Sequence, residues 1–429
     1  MNSLNRLTEK ANQQAIDRIQ SSRVYLTELS QAKDKTSFFD GYSLMHSGPP
    51  VEWENMTTAM RNAVCGAIVY ERWAESLSDA FDMAEKGLIR FGSDNENNAV
   101  GPMAGIVSPS MPVFVFENQV FGNKAYVTIN EGLGKTLRFG ANDESVINRL
   151  TWIENTLAPI LKESLMLSGP IDITSIIAQG LQRGDECHNR NKASNNLFVN
   201  QIAPWMVRCN YSREDISQAL TFMAGNDHFF LNLSMGNSKA TMDTIHNIEY
   251  CSVVSCMSTN GYHLGIQVSG TGRQWFTAPS PYAKGNYFEG YDEADASTVM
   301  GDSYISEACG IGAFAMGAAL GIGQFIGINT KQAQDYSLEM YDITISEHEL
   351  FKIPTFDFKG TPLGIDIRKV ISSGRLPVIN TGIANKRPGV GQIGAGIVYP
   401  PIDCFRKAYE AYMAQSSCVS TEDKGALVT

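Results

Sequence analysis

The spacing between apolar residues changes twice along the chain, and this pattern restricts the fold more than any other sequence feature. In the first third, helical spacings alternate with short β-branched and aromatic runs such as Val113–Phe116 and Tyr126–Ile129, which an Asn/Gly loop joins. Over about residues 143–246, apolar residues instead recur three and four positions apart, as in helices. After Tyr250, strand-like runs such as His263–Val268 return. This order predicts a mixed α/β (α+β) fold.

The length of the chain indicates more than one domain. A chain of 429 residues is too long for one ordinary core, because domains usually contain about 100–200 residues. We predict an N-terminal α/β domain over residues 1–142, a mainly helical domain or insertion over 143–248 and a C-terminal α/β domain over 249–415. The polar, aperiodic end of the chain, residues 416–429, is predicted to be a flexible tail.

The charge balance argues against nucleic acid as a partner. The chain has 34 Lys and Arg residues against 45 Asp and Glu residues, a formal net charge of -11, and no basic block. A footprint for a phosphate backbone is therefore missing. An anionic substrate would have to be held by a few local cations and backbone amides against an acidic overall field.

The cysteines and the N-terminal segment indicate a cytoplasmic protein. The eight cysteines are scattered without a CxxC pair, which fits neither a disulfide framework nor a zinc ribbon. The first thirty residues are polar and amphipathic and lack the apolar core of a secretory signal. HExxH and a second histidine at ligand spacing are also missing. We therefore predict reduced thiols in the cytoplasm, with no metal and no cofactor.

The segment Gly310–Ile328 is the one candidate for a membrane span. It is about as long as the shortest spans, and it contains small-xxx-small spacings. However, six of its residues are glycine, and its flanks carry Asp302 and Glu307 rather than a basic anchor. We predict a buried, Gly-rich core helix and no membrane contact.

A glycine-rich loop follows the second strand run. Its end, Gly134-Lys135-Thr136, is similar to the end of a P-loop, but that motif requires glycine where this chain has Ile129. What remains is a flexible loop from Asn130 to Arg138 that places two cations together. Such a loop can cradle phosphate or carboxylate. The alternative is an ordinary glycine turn with solvated cations.

Two further loops are rich in glycine. Residues 389–394 match GxGxxG, but Pro400 and Pro401 prevent the helix that a dinucleotide site requires. We predict a loop whose backbone approaches a ligand or another chain segment closely, although a tight turn without a ligand fits equally well. Residues 98–105 form a compact Gly/Pro loop, and loops on a rigid scaffold often carry binding residues.

Residues 184–191 form the densest polar cluster. At helical spacing, Asp185 would lie one turn from His188 and Glu186 one turn from Arg190, so a carboxylate could orient the imidazole for acid/base chemistry. The alternative is a solvated helix face with one ion pair. GxSxG and Cys/His hydrolase signatures are absent from the sequence.

Nine strings, taken in order, resemble the AllG/YlbE-type subunit of oxamate carbamoyltransferase. The similarity spans about residues 10–415, and nine ordered strings make it specific for this family. The strings are NAVGPMAG at Asn98–Gly105, NEGLGKTLRFG at Asn130–Gly140, GDECHNRN at Gly184–Asn191, DHFFLNL at Asp227–Leu233, WFTAP at Trp275–Pro279, MGDS at Met300–Ser303, GIDIR at Gly364–Arg368, NTGIA at Asn380–Ala384 and GVGQIGAG at Gly389–Gly396.

This resemblance implies a function and a set of partners. The implied reaction is reversible carbamoyl transfer, in which oxalurate and phosphate give oxamate and carbamoyl phosphate during allantoin breakdown. The implied partners are FdrA-like (AllF) and AllH-type subunits, and the chain is also expected to form a homo-oligomer. Family membership does not fix the carbamoyl acceptor, because some relatives are encoded in other operons.

The implied reaction can be matched to residues. Attack of phosphate on a carbamoyl carbon requires cations, amide donors and a proton donor for the leaving amide. We assign Lys135 and Arg138 to phosphate, Arg368 or Arg273 to the carboxylate through the bidentate arginine fork, and His188, oriented by Asp185, to proton transfer. The remaining substrate-binding candidates come from the same polar and glycine-rich strings: Asn98, Gly101, Asn130, Arg190, Asn380, Gly391 and Gln392.

Three classes of function remain open at this stage. The first is a transferase subunit that carries active-site residues. The second is a structural or binding subunit whose partner performs the chemistry. The third is an amidohydrolase that acts on a carbamoyl compound without phosphate, and phosphate-independent release of ammonia would identify it.

Overall fold

Helices and strands alternate irregularly in the computed structural model, which describes residues 3–387 and 389–425. The helices are α1 (Ser3–Ser21), α2 (Thr58–Tyr70), α3 (Leu77–Glu85), α4 (Glu144–Trp152), α5 (Ala158–Ser168), α6 (Ile173–Leu181), α7 (Lys192–Met206), α8 (Arg213–Gly225), α9 (Phe229–Met242), α10 (Ile305–Ala308), α11 (Gly323–Ile326), α12 (Thr330–Glu339), α13 (Ile367–Ser373) and α14 (Ile402–Gly425). The strands are β1 (Val24–Gln31), β2 (Ser43–His46), β3 (Arg90–Ser93), β4 (Pro112–Asn118), β5 (Lys124–Thr128), β6 (Ile171–Asp172), β7 (Val254–Asn260), β8 (His263–Val268), β9 (Phe276–Pro279), β10 (Lys284–Tyr287), β11 (Met300–Gly301), β12 (Thr344–Ile353), β13 (Lys359–Ile365), β14 (Ile379–Ala384) and β15 (Gln392–Val398).

Several small sheets, mostly antiparallel, form the β part of the fold. The first has the order β5-β4-β1-β6, and β4 and β5 form the hairpin that the sequence predicts around the Asn/Gly loop. A second sheet has the order β11-β7-β8-β9 and a third the order β10-β15-β14. The strands β12 and β13 pair antiparallel, whereas β2 and β3 pair in parallel. The predicted mixed α/β class is therefore confirmed.

The largest apolar core draws on all three predicted segments. It contains Phe114 of β4, Phe229 of α9 and Ile266 of β8, each fully buried. Burial of apolar surface is the main favourable term in folding, so these segments stabilise one another. The domain boundaries at residues 142 and 248 remain predictions.

The segment Gly310–Ile328 is buried over most of its length, as predicted, but it is not one regular helix. It consists of short 3-10 turns at Gly312–Ala318 and Leu320–Ile322, followed by α11. Gly310 and Gly312 have φ angles of 85° and 64°, a left-handed conformation that interrupts an α-helix. In the described part of the chain, no helix is both long and apolar enough to cross a membrane.

The predicted C-terminal tail is described only in part. The backbone of α14 extends through Gly425, so residues 416–425 of that tail continue this helix. Residues 426–429 lie outside the described residues. Flexibility of the tail remains a prediction.

The helix α9 lies at the centre of the fold, and its packing gives a testable prediction. A Cβ atom added at Gly236 would lie 2.2 Å from the Phe116 ring of β4. We expect Gly236→Ala to lower the free energy of unfolding by about 1–3 kcal/mol, because a tightly packed core does not accept extra volume. Urea unfolding followed by circular dichroism measures this change.

The matched control is Gly225→Ala at the end of α8. An added Cβ there meets nothing within 4 Å, so we expect this variant to be neutral or up to about 1 kcal/mol more stable. Equal stability of the two variants would contradict the proposed packing of α9.

Candidate active site

The polar cluster 184–191 is a loop between α6 and α7, not the helix that its spacing suggested. Gly184 and Cys187 have φ angles of 94° and 63°, which break helical geometry. The loop closes around Glu186, whose carboxylate accepts hydrogen bonds from the backbone N–H of His188 at 2.9 Å and of Arg190 at 2.5 Å. The predicted one-turn spacing within this cluster is therefore wrong.

Asp185 does not orient His188, and this assignment is corrected. Its carboxylate accepts hydrogen bonds from the backbone N–H of Ser194 at 2.7 Å and from the Ser194 hydroxyl at 2.9 Å. The loop geometry thus directs Asp185 to the first turn of α7. Its Oδ1 lies 3.9 Å from Nε of Arg190.

Glu307 of α10 is the carboxylate that contacts His188. Its Oε1 lies 2.8 Å from Nδ1 of His188, and both side chains are almost fully buried. Burial acts to lower the pKa of His188, but the carboxylate outweighs it, so the pKa is raised on balance. Sequence reasoning missed Glu307 because it lies 119 residues away. The available signal was an acidic residue directly before an apolar, Gly-rich segment.

A cavity of about 160 Å³ lies beside this loop. Three of the nine strings and the Gly-rich segment form its wall. The lining residues are Leu133, Asn189, Arg190, Asn191, Lys192, Asp227, His228, Gly321, Ile322 and Phe325. The lining carries two cations, Arg190 and Lys192, and one carboxylate, Asp227, so its formal charge is positive and favours an anionic ligand.

The side chains around the cavity are incompletely paired. Arg190 donates from Nε to the carbonyl of Gly184 at 2.8 Å, and Lys192 lies 3.6 Å from Asp227. Among the described residues, Nδ2 of Asn189 and Nδ1 of His228 are buried without a hydrogen-bond partner. Buried polar groups are normally paired, so these atoms indicate a place for a ligand or water.

Arg138 belongs to the glycine-rich loop that contributes Leu133 to the cavity lining. Its guanidinium donates to the Gly132 carbonyl at 2.7 Å, and burial lowers its pKa to about 10, against the opposing charge of Glu131. Burial and then the nearby Arg138 charge lower the pKa of His228 to about 3. Arg138 is thus a buried cation close to the candidate site, and His228 is neutral at pH 7.

The three glycine-rich loops converge. A Cβ atom at Gly391 would lie 2.4 Å from the Gly134 carbonyl oxygen, so the 389–396 loop closely approaches another chain segment, one of the two interpretations left open. The Ala104 N–H donates to the Arg138 carbonyl at 3.0 Å. This contact joins the 98–105 loop to the 130–140 loop.

The other predicted binding residues lie in different surroundings. Asn130 belongs to the polar network around the loops, since it donates to Asn232 at 2.8 Å. Asn380 lies beside the Glu186 carboxylate, but its Nδ2 and Oδ1 are buried without a hydrogen-bond partner among the described residues. Gln392 follows Gly391 where the loops meet, and its Oε1 is buried without a partner among the described residues. Asn98 is exposed and left-handed, with a φ of 57°, and its carbonyl accepts a hydrogen bond from Tyr126. Gly101 donates its N–H to Asp302 at 2.9 Å.

Like Arg138, three further predicted cations do not line the cavity. Lys135 is half-exposed and forms an ion pair with Asp143 at 2.5 Å. Arg368 forms an ion pair with Asp366 at 2.6 Å. Arg273 is exposed and lies near His246. In the described residues, no group of three or more His, Cys, Asp or Glu side chains is arranged to hold a metal ion.

Comparisons with known proteins identify the class of protein and then its family. A crystal structure of a conserved protein of unknown function from Enterococcus faecalis V583 has the same mixed α/β fold. It superposes with a TM-score of 0.95 and 41% identity, covering 96% of this chain and 99% of that chain. The family model described as oxamate carbamoyltransferase subunit AllG matches residues 89–303.

Two relatives from Escherichia coli K12 extend this match over nearly the whole chain. The oxamate carbamoyltransferase subunit AllG is 42% identical over 405 residues, 94% of this chain and 97% of AllG. YahG, an uncharacterized protein, is 44% identical over 398 residues, 93% of this chain and 84% of YahG. The chain belongs to the family of the oxamate carbamoyltransferase subunit AllG, and the predicted resemblance is confirmed.

The buried Glu186 gives a prediction for stability as a function of pH. Burial raises its pKa from 4.5 to about 7, so the folded state holds this proton more tightly than the unfolded chain. The resulting stabilisation is complete below about pH 4.5 and is lost as the pH rises through about 7. As the pH rises from 5 to 8, the free energy of unfolding of Glu186→Gln should increase by about 2–3 kcal/mol relative to that of the wild type.

Urea unfolding of both proteins at the two pH values measures this difference. Glu54→Gln removes an exposed carboxylate, so its stability relative to the wild type should change little over the same range. The same pH dependence in both variants would refute the elevated pKa of Glu186.

Proposed function

We propose that this chain is a subunit of a carbamoyltransferase complex that catalyses oxalurate + phosphate = oxamate + carbamoyl phosphate in allantoin and purine nitrogen catabolism. The main support for this proposal is the cavity that Arg190 and Lys192 line. His188, which contacts Glu307, is the residue before Asn189, one of the residues that line this cavity. The name of the AllG relative supports the reaction class.

The chemistry of this reaction matches the groups around the cavity. A phosphate oxygen would attack the ureido carbon of oxalurate, and the bond from that carbon to the oxamate nitrogen would break. The proton lost by hydrogen phosphate balances the proton that this nitrogen gains. In the proposal, His188 transfers this proton, because an imidazole can both accept and donate near neutral pH.

The proposed substrates are both anions, so their binding requires local positive charge. We assign Arg190 and Lys192 to direct contact and Arg138 to a supporting charge from behind, since charge-assisted hydrogen bonds to carboxylate and phosphate are strong. The same cations would stabilise the oxyanion of the tetrahedral intermediate. Lys135, Arg273 and Arg368 are not part of this assignment.

The proposal includes partner subunits and a cytoplasmic location. The AllG relative is named as a subunit, which supports a complex, and FdrA-like and AllH-type proteins are the partners that the sequence resemblance implies. Association with them would cover the cavity and exclude water from the reacting groups. A homo-oligomer of this chain within the complex is also proposed.

The test measures carbamoyl phosphate formed from oxalurate and phosphate. The chain is assayed alone and then with the proposed FdrA-like and AllH-type partners. Activity that requires the mixture and disappears without this chain supports the proposal. Ammonia release that does not depend on phosphate would instead identify a hydrolase. No turnover of oxalurate in the complete mixture would refute the reaction.

Arg190 gives a prediction about substrate binding. We expect Arg190→Ala to raise the apparent KM for phosphate or oxalurate on the order of 10–100-fold, since a charge-assisted hydrogen bond contributes about 1.5–3 kcal/mol. Steady-state kinetics of the assembled complex measure this change. The matched control, Arg183→Ala, removes an exposed arginine of the preceding turn and should leave both KM values unchanged. Equal KM values for the two variants would show that Arg190 does not bind the substrates.

A further inference from the structure

Glu307 occupies a position that is costly for a carboxylate. The side chain is fully buried on the four-residue helix α10, and its Oε1 also accepts the Ala313 N–H at 2.9 Å. Within the described residues, Oε2 has no hydrogen-bond partner, and His188 is the basic side chain within ion-pair distance. A buried carboxylate is stable only when it is paired or protonated. The pair with His188 is therefore the main compensation for this burial.

The backbone is shaped around this pair at Gly312. A Cβ atom there would lie 2.3 Å from Oε1 of Glu307 and 3.2 Å from Cβ of His188. Gly312 has a φ of 64°, and its N–H donates to the Glu186 carbonyl at 2.7 Å. The Gly-rich segment thus approaches the 184–191 loop as closely as the chain allows, and it brings the carboxylate with it.

The contact also determines the chemical state of the ring. A carboxylate is an acceptor, so Nδ1 of His188 carries a proton and donates it to Glu307. In the neutral ring, Nε2 then holds the lone pair. The contact with Glu307 uses Nδ1 and leaves Nε2 outside this hydrogen bond. The next residue, Asn189, lines the cavity.

We propose that Glu307 is the positioning residue of His188: it fixes the ring so that Nε2 exchanges protons with the ligand in the cavity. The chemical step rests on the proposed function, whereas the pair itself does not. The proton passes from phosphate to Nε2 and then to the departing oxamate nitrogen, and Glu307 stabilises the imidazolium in between.

Other titratable groups also face His188, and the experiment has to separate them. Glu186 lies in the same loop, Tyr304 has its ring centre 6.5 Å from that of His188, and His228 lies on the α9 side. Asp185, the carboxylate that the sequence had paired with His188, binds Ser194 instead. It therefore provides a matched control for Glu307.

The first measurement is the pKa of His188 by NMR of the isolated chain with labelled histidine. Loss of the resonance in His188→Gln assigns the signal. We expect Glu307→Gln to lower this pKa by about one unit or more, because a neutral amide no longer stabilises the imidazolium in its buried position. Asp185→Asn should leave it nearly unchanged. An unshifted pKa in Glu307→Gln, or an equal shift in Asp185→Asn, would overturn the proposal.

The second measurement is the pH profile of turnover in the assembled complex. We expect Glu307→Gln to lower kcat on the order of 10–100-fold with little change in KM, and to move the limb of the profile that belongs to His188 to lower pH. A loss that is confined to KM, or a profile that does not move, would show a purely structural role.

The two measurements distinguish failure of the pair from failure of the proposed reaction. If the wild-type complex forms no carbamoyl phosphate, the reaction is wrong, and the NMR titration still decides whether Glu307 controls His188. Should Glu307→Gln fail to fold, Glu307→Asp retains the charge at a greater distance. It should then give a pKa below that of the wild type, and an unchanged value would refute the pairing.

Discussion

The complete burial of α9 is the constraint on which the rest of the structure depends. Every residue of this helix is buried, so its polar side chains have to find partners inside the protein. Lys239 pairs with Asp243 at 2.8 Å, and Asn232 binds the glycine-rich loop through Asn130. His228, the residue before the helix, lines the cavity. The packing of one helix therefore determines where two parts of the candidate site lie.

A buried carboxylate holds the surrounding loops in place. Asp302 accepts hydrogen bonds from the backbone N–H groups of Gly48 at 2.8 Å and Gly101 at 2.9 Å, and from the side chain of Asn95 at 2.7 Å. It thus connects the 98–105 loop to the segment that carries Glu307 five residues later. The string MGDS, which contributed to the family resemblance, has this structural task. Anchoring Asp302 helps to place the carboxylate that contacts His188.

Local chemistry explains which expectations the structure confirmed. The hairpin of β4 and β5 follows from two β-branched runs around an Asn/Gly loop, and burial of the Gly-rich segment follows from its composition. The helical spacing of residues 184–191 failed, because a left-handed Gly184 and Cys187 redirect the side chains. A prediction from helical spacing assumes a regular helical backbone, and one residue with a positive φ breaks that regularity.

The sequence by itself determined the mixed α/β class, the family and the loops that carry polar residues. These properties depend on composition, on periodicity and on ordered strings, all of which can be recognised along the chain. The tertiary structure alone decided that Glu307 rather than Asp185 contacts His188, and that Arg190 rather than Arg368 faces the cavity. Such contacts join residues that are distant in sequence. A buried charge is stable only where it is paired, so the packed structure determines which residues become partners.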